Sequence, residues 1–250
     1  MTMYRGICLY SVIPCRDQPS HRSQQTTQLL FGETYMVLDY MDDFLQIECD
    51  HDGYQAWIAK NQHYEFDKKL ESVVNESLLQ TIKIDNQTMY VPMGAYIPKS
   101  NWSLNGKTYT ASNYTSNQLT SVEIKLDYYS RLFNNAPYMW GGRTPLGIDC
   151  SGYAQLLYRM LGINIKRDSI HQAEMGTTIH IIHEAHPGDL AFFDNEEGLI
   201  THVGVILDPH HITHAYGGVR TDKIDHEGIY STEHRKYTHR LRLIKRLLPE

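Results

Sequence analysis

The segment from Tyr138 to Gly152 holds the residues best placed for chemistry, because three glycines and a proline lead directly into Asp149 and Cys150. After Cys150, apolar residues recur at helical spacing until Gly162, a residue type that commonly ends helices. The pattern predicts a tight turn that places Cys150 at a helix N-terminus. There, unpaired N–H groups and the helix dipole lower the pKa of a thiol and favour the thiolate that attacks carbonyl carbons. A buried cysteine that only fills space is the alternative.

A thiol nucleophile needs a base, and two histidines in a predicted hairpin can supply it. Thr201 to Leu207 and Ile212 to Tyr216 are typical of antiparallel strands joined by a turn. Paired residues in such a hairpin have a constant sum of residue numbers, and a turn centred on residue 208 pairs His202 with His214. Their Cβ atoms would lie about 5 Å apart on one face of the sheet. One imidazole could then orient the other, although each histidine alone would more often be structural.

These motifs, taken in order, resemble the NlpC-type cell-wall cysteine peptidases. The resemblance rests on five short segments: Tyr138-Met-Trp-Gly-Gly, Asp149-Cys-Ser-Gly, Pro187-Gly-Asp-Leu-Ala-Phe-Phe, His202-Val-Gly-Val and Ile212-Thr-His-Ala. It implies a circularly permuted papain-like domain. Within that domain Cys150 would be the nucleophile, His202 the general base and acid, and His214 the residue that orients His202.

The same resemblance implies a set of substrate-binding residues. Tyr138 and Trp140 would line the site near the oxyanion, where the Cys150 backbone N–H is a natural donor. Asp149 and Ser151, on either side of the nucleophile, are also predicted to face substrate.

Members of this family cleave peptidoglycan stem peptides, commonly between D-γ-glutamyl and a diamino acid. A subset with N-terminal Src-homology-3-like domains takes fragments with a free N-terminal L-Ala and carries an Asp-Ser pair after the nucleophile helix. Here Asp168 and Ser169 stand in that place, so Asp168 would anchor the ammonium and Ser169 a peptide group. The alternative is that both residues simply cap a short helix that follows. Tyr54 is predicted to form a wall of the same subsite, against the alternative that it belongs to the barrel core.

The elements before this region read as small β-domains. Residues 1–66 alternate polar and apolar positions between turns spaced 8 to 12 residues apart. With Leu29-Leu-Phe-Gly-Glu and Asp52-Gly-Tyr-Gln-Ala-Trp-Ile, they resemble a bacterial Src-homology-3-like barrel. Residues 67–122 predict a second small β-domain, with a helical or linker stretch from Lys68 to Leu79 and a hairpin at Asn105-Gly106. A helical pattern then runs over Val122 to Phe133. Residues 123–250 form the predicted catalytic domain, and the whole chain is predicted to be α+β.

Composition excludes several other classes of protein. The 250 residues are 41% hydrophobic and 21% charged, as in globular proteins, and the net charge of −6 argues against a nucleic-acid partner. No apolar run approaches the roughly 18 residues of a membrane span. Because no signal peptide is visible, the cytoplasm is the predicted location, or the cell envelope if a signal was removed. Four cysteines cannot all pair once one is a nucleophile, which favours a reducing compartment.

The predicted function is therefore a cysteine endopeptidase that acts on peptidoglycan-derived peptides through a thioester acyl-enzyme. No cofactor and no metal are predicted, since histidines 180, 183 and 186 lack the spacing of a zinc peptidase. Two alternatives stay open. The chain could bind cell-wall peptide without cleaving it, or it could use the thiol as an amidase or acyltransferase on another substrate. The sequence leaves the oligomeric state open.

Overall fold

A computed structural model describes residues 4–112, 114 and 117–248. The chain divides into two compact units. The first unit consists of Met1–Gln118 and Trp140–Pro145, and the second consists of Leu119–Met139 and Leu146–Glu250.

The first unit begins with a six-stranded antiparallel barrel whose strands follow the order β1-β4-β5-β6-β2-β3. The predicted alternation is seen in β5, where Leu45, Ile47 and Cys49 are buried and the intervening Gln46 and Glu48 are half-buried. A 3₁₀ turn over Lys60–Gln62 follows the last strand. The strands are β1 (Tyr4–Ile7), β2 (Val12–Arg16), β3 (Gln25–Leu30), β4 (Thr34–Met41), β5 (Phe44–Cys49) and β6 (Gln55–Ala59).

The rest of the first unit is also built from strands. The pair β10-β7 and the sheet β11-β12-β8-β9 are antiparallel, and the Asn105-Gly106 hairpin is confirmed, with φ of 50° and 72°. The helical interpretation of Lys68 to Leu79 is wrong, because Val73 pairs with Ile97 in a strand. The strands are β7 (Ser72–Val74), β8 (Leu79–Ile84), β9 (Gln87–Pro92), β10 (Tyr96–Pro98), β11 (Trp102–Leu104), β12 (Lys107–Ala111) and β13 (Arg143–Thr144).

The two predicted β-domains share one hydrophobic core. Phe31 of the barrel stacks on Trp102 with ring centroids 5.7 Å apart, and Ile7 and Leu30 pack in the same cluster as Ile82. This shared core explains why both sets of strands lie in one unit. The boundary proposed at residues 66 and 67 stays a prediction.

The described part of the second unit, residues 119–139 and 146–248, contains the helices α1 (Val122–Phe133), α2 (Cys150–Met160) and α3 (Ser169–Gln172). The predicted helix over residues 122–133 is confirmed, with Ser121 accepting a capping hydrogen bond from the Ile124 N–H at 3.3 Å. A 3₁₀ turn lies at Ile182–Glu184. The strands are β14 (Gly147–Ile148), β15 (Thr177–Ile179), β16 (Leu190–Asp194), β17 (Ile200–Asp208), β18 (His211–Tyr216), β19 (Gly218–Ile224), β20 (Gly228–Ser231) and β21 (Lys236–Arg246).

Seven of these strands form one antiparallel sheet in the order β15-β21-β16-β17-β18-β19-β20. The long strand β21 also pairs with β20, so the sheet closes on itself. Helix α2 is buried along its whole length and packs on β17 and β18. This packing brings the start of α2 to the strands that carry the two predicted histidines. Among the described residues, no helix has the length and apolar character needed to cross a bilayer.

Candidate active site

Cys150 is the first residue of α2, where the sequence predicts it. Asp149 is the N-cap, and its Oδ1 accepts a hydrogen bond from the Gly152 N–H at 2.7 Å. The Cys150 side chain is nearly buried, with 7% of the residue exposed. The backbones of Val203 and Ser151 lie close enough to the sulfur to lower the pKa of the thiol. The thiol therefore lies against β17, beside the residue that follows His202.

The predicted thiolate at this position is wrong for the resting protein. Burial raises the pKa of the Cys150 thiol to about 11, and the negative charge of Asp149 adds to this effect. The Val203 and Ser151 backbones and Arg167 act in the opposite direction but do not outweigh burial. Cys150 is consequently a neutral thiol at neutral pH.

His202 and His214 meet, although not in the predicted register. In β17 and β18 the residue opposite His214 is Gly204, and Ile206 is opposite Ile212, so the paired numbers sum to 418 rather than 416. A bulge at the end of the hairpin shifts the register next to Asp208. His202 is therefore the diagonal neighbour of His214 on the same face. Its Nε2 lies 2.8 Å from His214 Nδ1.

Gly204 makes this diagonal contact possible. A Cβ added at residue 204 would lie 2.7 Å from Ile212 Cδ1 and 3.0 Å from His214 Cβ. Both distances are shorter than ordinary van der Waals contact. Without a side chain at this position, the imidazole of His214 can lean across β17 toward His202.

The histidines of the site are held neutral. Burial lowers the pKa of His202 well below its usual value, and His214 and His239 lower it further. Burial also lowers the pKa of His214, against the raising effect of Asp222. At neutral pH the site therefore contains a neutral thiol and neutral imidazoles.

Two residues that contact the pair of His202 and His214 were not predicted from the sequence. His239 of β21 stacks on His202 with ring centroids 4.2 Å apart and planes 24° apart. Asp222 of β19 accepts from His214, with Oδ2 3.1 Å from Nε2. Applying the same hairpin arithmetic to a turn centred on Gly217 pairs His214 with Arg220 and places Asp222 on the face of His214. No comparable local signal identifies His239, which joins the site through the closure of the sheet.

One group of side chains has the composition of a metal site. Ligand nitrogens of His202, His214 and His239 all lie within 4.8 Å of one another. However, the lone pairs of imidazole lie in the ring plane, and the planes of His202 and His239 run side by side. One ring would have to tilt before both nitrogens pointed at one ion, and the ion would displace the hydrogen bond between His202 and His214. The prediction that the protein needs no metal stays a prediction.

A buried ion pair holds the residue before Cys150. Arg167 is 1% exposed, and its Nη2 and Nη1 lie 2.6 Å and 3.1 Å from the two carboxylate oxygens of Asp149. Nη1 also donates to Ser151 Oγ at 2.8 Å. Asp149 and Ser151, predicted to face substrate, are thus engaged in holding the start of α2. The sequence interpretation did not assign Arg167 a role, because its partner lies 18 residues away in another element.

The predicted aromatic residues occupy different parts of the molecule. Tyr138 lies in the second unit, where burial, followed by Cys150 and Asp149, raises the pKa of its hydroxyl to about 12. Trp140 belongs to the first unit and is 59% exposed. Tyr54 is half-buried and packs against the barrel core. The substrate roles of all three stay predictions.

Asp168 and Ser169 stand at the start of α3. Asp168 is the N-cap, but its side chain makes no capping hydrogen bond to the helix, contrary to the alternative of a purely capping role. The Asp168 side chain is 39% exposed, and its Oδ2 lies 3.9 Å from His171 Nδ1. A ligand can reach this carboxylate.

Arg143 of β13 is buried within the first unit, with 3% of the residue exposed. Its Nη1 and Nη2 each lie 2.9 Å from a carboxylate oxygen of Glu33. Nη1 also donates to the Gln28 carbonyl at 2.6 Å. This bidentate pair anchors residues 140–145 in the first unit.

Comparisons with known families agree with this arrangement. Residues 135–239 match the NlpC/P60 family, and residues 15–62 match the bacterial dipeptidyl-peptidase Sh3 domain. The crystal structure of an NlpC/P60 family protein from Bacillus cereus superposes with a TM-score of 0.80 at 18% identity, covering 98% of this chain and 100% of that one. NlpC2 from Trichomonas vaginalis gives a TM-score of 0.51 at 20% identity, covering 100% and 99% of the two chains. Both likenesses concern the fold.

Sequence relatives are peptidases by name. The γ-D-glutamyl-L-lysine dipeptidyl-peptidase of Bacillus subtilis is 25% identical over 204 residues, covering 72% of this chain and 69% of that protein. Dipeptidyl-peptidase 6 of Lysinibacillus sphaericus is 22% identical over 222 residues, covering 73% and 79% of the two chains. The probable endopeptidase p60 of Listeria monocytogenes is 39% identical over 93 residues, but the match spans 19% of its length.

Proposed function

Since the chain carries an NlpC/P60 peptidase domain behind a bacterial Sh3 domain, we propose that it is a cysteine endopeptidase. It hydrolyses the bond between D-γ-glutamyl and an L-diamino acid in peptidoglycan stem peptides. The observation that carries the proposal is the 2.8 Å contact between His202 and His214 on the strands that pack against the helix of Cys150. The names of the Bacillus and Lysinibacillus relatives support the substrate class.

The reaction proceeds by acyl transfer to sulfur. The Cys150 sulfur attacks the γ-carbonyl carbon of D-glutamate while His202 takes the thiol proton, and His214 holds the His202 ring in place. The Cys150 backbone N–H and the Tyr138 hydroxyl stabilise the oxyanion. As the C–N bond breaks, His202 gives its proton to the leaving amine. Water then hydrolyses the thioester, passing one proton through His202 back to sulfur.

The second unit adopts a circularly permuted papain-like fold in this proposal. A nucleophile helix packed against a sheet that carries the histidines supports this assignment. All four cysteines are free thiols, which fits the proposed cytoplasmic location. The intact set of Cys150, His202 and His214 favours catalysis over peptide binding alone.

Recognition of a free L-Ala is assigned to Asp168 and Ser169. The half-exposed Asp168 carboxylate would pair with the substrate ammonium, and Ser169 would contact the first peptide group. Asp149 and Ser151 would support the site by holding the backbone at the start of α2.

The test compares L-Ala-γ-D-Glu-L-Lys with its N-acetylated form by mass spectrometry of the products. We expect cleavage after D-Glu, with the acetylated peptide cut at least about 30-fold more slowly, because removing one partner of a charge pair costs about 2 kcal/mol or more. Asp168→Asn should shrink this difference by slowing the free-amine substrate. Asp225→Asn is the matched control, because it makes the same substitution at an aspartate whose carboxylate accepts a hydrogen bond from the Tyr237 hydroxyl.

Two results would contradict the proposal. Cleavage that survives Cys150→Ala would exclude the thiol mechanism. Equal kcat/KM for the free and acetylated peptides would remove the ammonium role of Asp168 and point to intact cell wall as the substrate.

A further inference from the structure

The hydrogen-bond chain that begins at His202 continues one strand further than a catalytic triad requires. Asp222 of β19 is 7% exposed, and its Oδ2 lies 3.1 Å from His214 Nε2. Arg220 binds the same carboxylate through Nε at 2.8 Å and Nη2 at 3.1 Å. Beyond it, Arg220 reaches Glu233, whose side chain is exposed, at 3.2 Å. A buried carboxylate thus connects the paired histidines to a cation at the protein surface.

The charge state of Asp222 restricts where the proton of His214 can reside. Burial alone would raise the pKa of Asp222, but the hydrogen bonds from His214 and Arg220 outweigh it and lower that pKa, so the carboxylate is ionised. An ionised carboxylate only accepts hydrogen bonds, whereas a neutral imidazole has one N–H and one bare nitrogen. Nε2 of His214 must therefore carry the proton. Its Nδ1 is left as an acceptor.

The tautomer of His214 in turn fixes the tautomer of His202. Because Nδ1 of His214 can only accept, the atom 2.8 Å away, Nε2 of His202, must donate. The single proton of neutral His202 is then used at Nε2. Its Nδ1 is bare and able to take a proton.

We propose that Asp222 is a positioning residue that sets the tautomers of both histidines, so that Nδ1 of His202 is the basic nitrogen. The inference rests on the proposed function, in which His202 accepts the proton of Cys150. Asp222 touches neither the substrate nor the sulfur. It acts through His214, and without it each imidazole can place its proton on either nitrogen.

A competing explanation is that Asp222 serves only to pair with Arg220. Two substitutions separate the explanations. Asp222→Ala removes the acceptor of His214, whereas Arg220→Gln removes the ion pair and leaves the carboxylate on His214. Arg220 contacts neither histidine in any hydrogen bond among the described residues. If the ion pair alone matters, the two variants should behave alike.

The first measurement reads the tautomers directly. Long-range ¹H–¹⁵N spectra of histidine-labelled protein, with signals assigned by single histidine substitutions, should show Nε2–H on both His202 and His214 in the wild type and in Arg220→Gln. Asp222→Ala should give mixed or inverted tautomers. A wild-type His214 protonated on Nδ1 would overturn the proposal, even if Asp222→Ala fails to fold.

The second measurement reads the consequence for the thiol and for turnover. Asp222→Ala should lower the iodoacetamide rate at Cys150 and the kcat for peptide by roughly 10- to 100-fold, with KM within about threefold of wild type. Arg220→Gln should change both rates by less than about threefold. Equal losses in the two variants would refute the positioning role.

These outcomes remain separable from the proposed function, because tautomers and alkylation need no peptide substrate. If no stem peptide is cleaved and the tautomers still depend on Asp222, only the substrate assignment fails. If peptide is cleaved and the tautomers ignore Asp222, only this inference fails.

Discussion

Replacing Arg167 with methionine tests what holds the nucleophile in place. Methionine is of similar length and apolar, so it fills most of the same volume without the charge. The substitution removes both hydrogen bonds from Arg167 to Asp149, at 2.6 Å and 3.1 Å, and the one to Ser151 at 2.8 Å. The Asp149 carboxylate then stays buried without its guanidinium, while it still caps α2 through the Gly152 N–H.

The magnitude follows from the burial of this pair. Breaking a buried ion pair by removing one partner costs about 3–5 kcal/mol, because the remaining charge is uncompensated. Arg167 is 1% exposed, so solvent cannot take over its role. We expect Arg167→Met to lower the free energy of opening of α2 by about that amount. It should also slow alkylation of Cys150 at fixed pH, since Arg167 lowers the pKa of that thiol and Asp149 raises it.

The double variant Asp149→Asn/Arg167→Met isolates the cause. Asparagine is also a good N-cap, so the cap is retained while the uncompensated charge is removed. If the Asp149 carboxylate left without Arg167 causes most of the loss in stability, the free energy of opening of α2 in the double variant should exceed that of Arg167→Met by at least about 2 kcal/mol.

The assay must report on the second unit alone. All three tryptophans, Trp57, Trp102 and Trp140, belong to the first unit, so their fluorescence follows the wrong part of the chain. Denaturant-dependent hydrogen exchange of peptides covering residues 150–160 measures the opening of α2 itself. A loss below about 1 kcal/mol in Arg167→Met, or a double variant no more stable than the single one, would refute the reasoning.

Three further predictions concern the thiol, the acid stability and the packing of the histidines. One equivalent of iodoacetamide at pH 8 should label Cys150 first in peptide mapping, because the three barrel cysteines are more deeply buried and burial raises the pKa of Cys15, for example, to about 12; even labelling would contradict this. Burial lowers the pKa of His239 from 6.5 to about 4, so the unfolded chain binds a proton that the native state does not, and stability should fall as pH drops from 6.5 to 4. In His239→Phe, the slope of the free energy of unfolding against pH, measured by denaturation, should be smaller by up to about 1.4 kcal/mol per pH unit. An unchanged slope would show that His239 titrates normally. Gly204→Ala should push His214 away and lower kcat roughly tenfold, and an unaffected kcat would mean that the sheet absorbs the extra methyl group.

Local patterns in the sequence were enough to predict several parts of the fold. The helical spacing of residues 122–133 identifies α1, and Asn105-Gly106 identifies a hairpin, because each signal depends on neighbouring residues only. The position of Cys150 at the start of α2 is of the same kind. In each case the local backbone preference and the pattern of apolar residues favour the same structure, so tertiary packing does not change it.

Longer-range features could not be predicted in the same way. The register of the hairpin that carries His202 and His214 depends on a bulge beside Asp208. The residue types in the turn do not predict this bulge. The partner of Asp149 is Arg167, whose burial becomes visible only once α2 is packed. Likewise the first barrel and the following strands share a core around Phe31, which no local pattern indicates.

The neutral state of Cys150 bears on when charge can form in the site. A helix end favours a thiolate by partial charges, but burial and Asp149 raise the pKa of this thiol to about 11 while burial lowers that of His202. Both shifts disfavour a thiolate–imidazolium pair in the resting enzyme. That pair, or its equivalent, becomes favourable only when the negative charge moves from sulfur to an oxyanion held by hydrogen bonds. In the proposed mechanism the site therefore separates charge during attack on a bound carbonyl rather than before it, and turnover depends on the tautomer and orientation of His202.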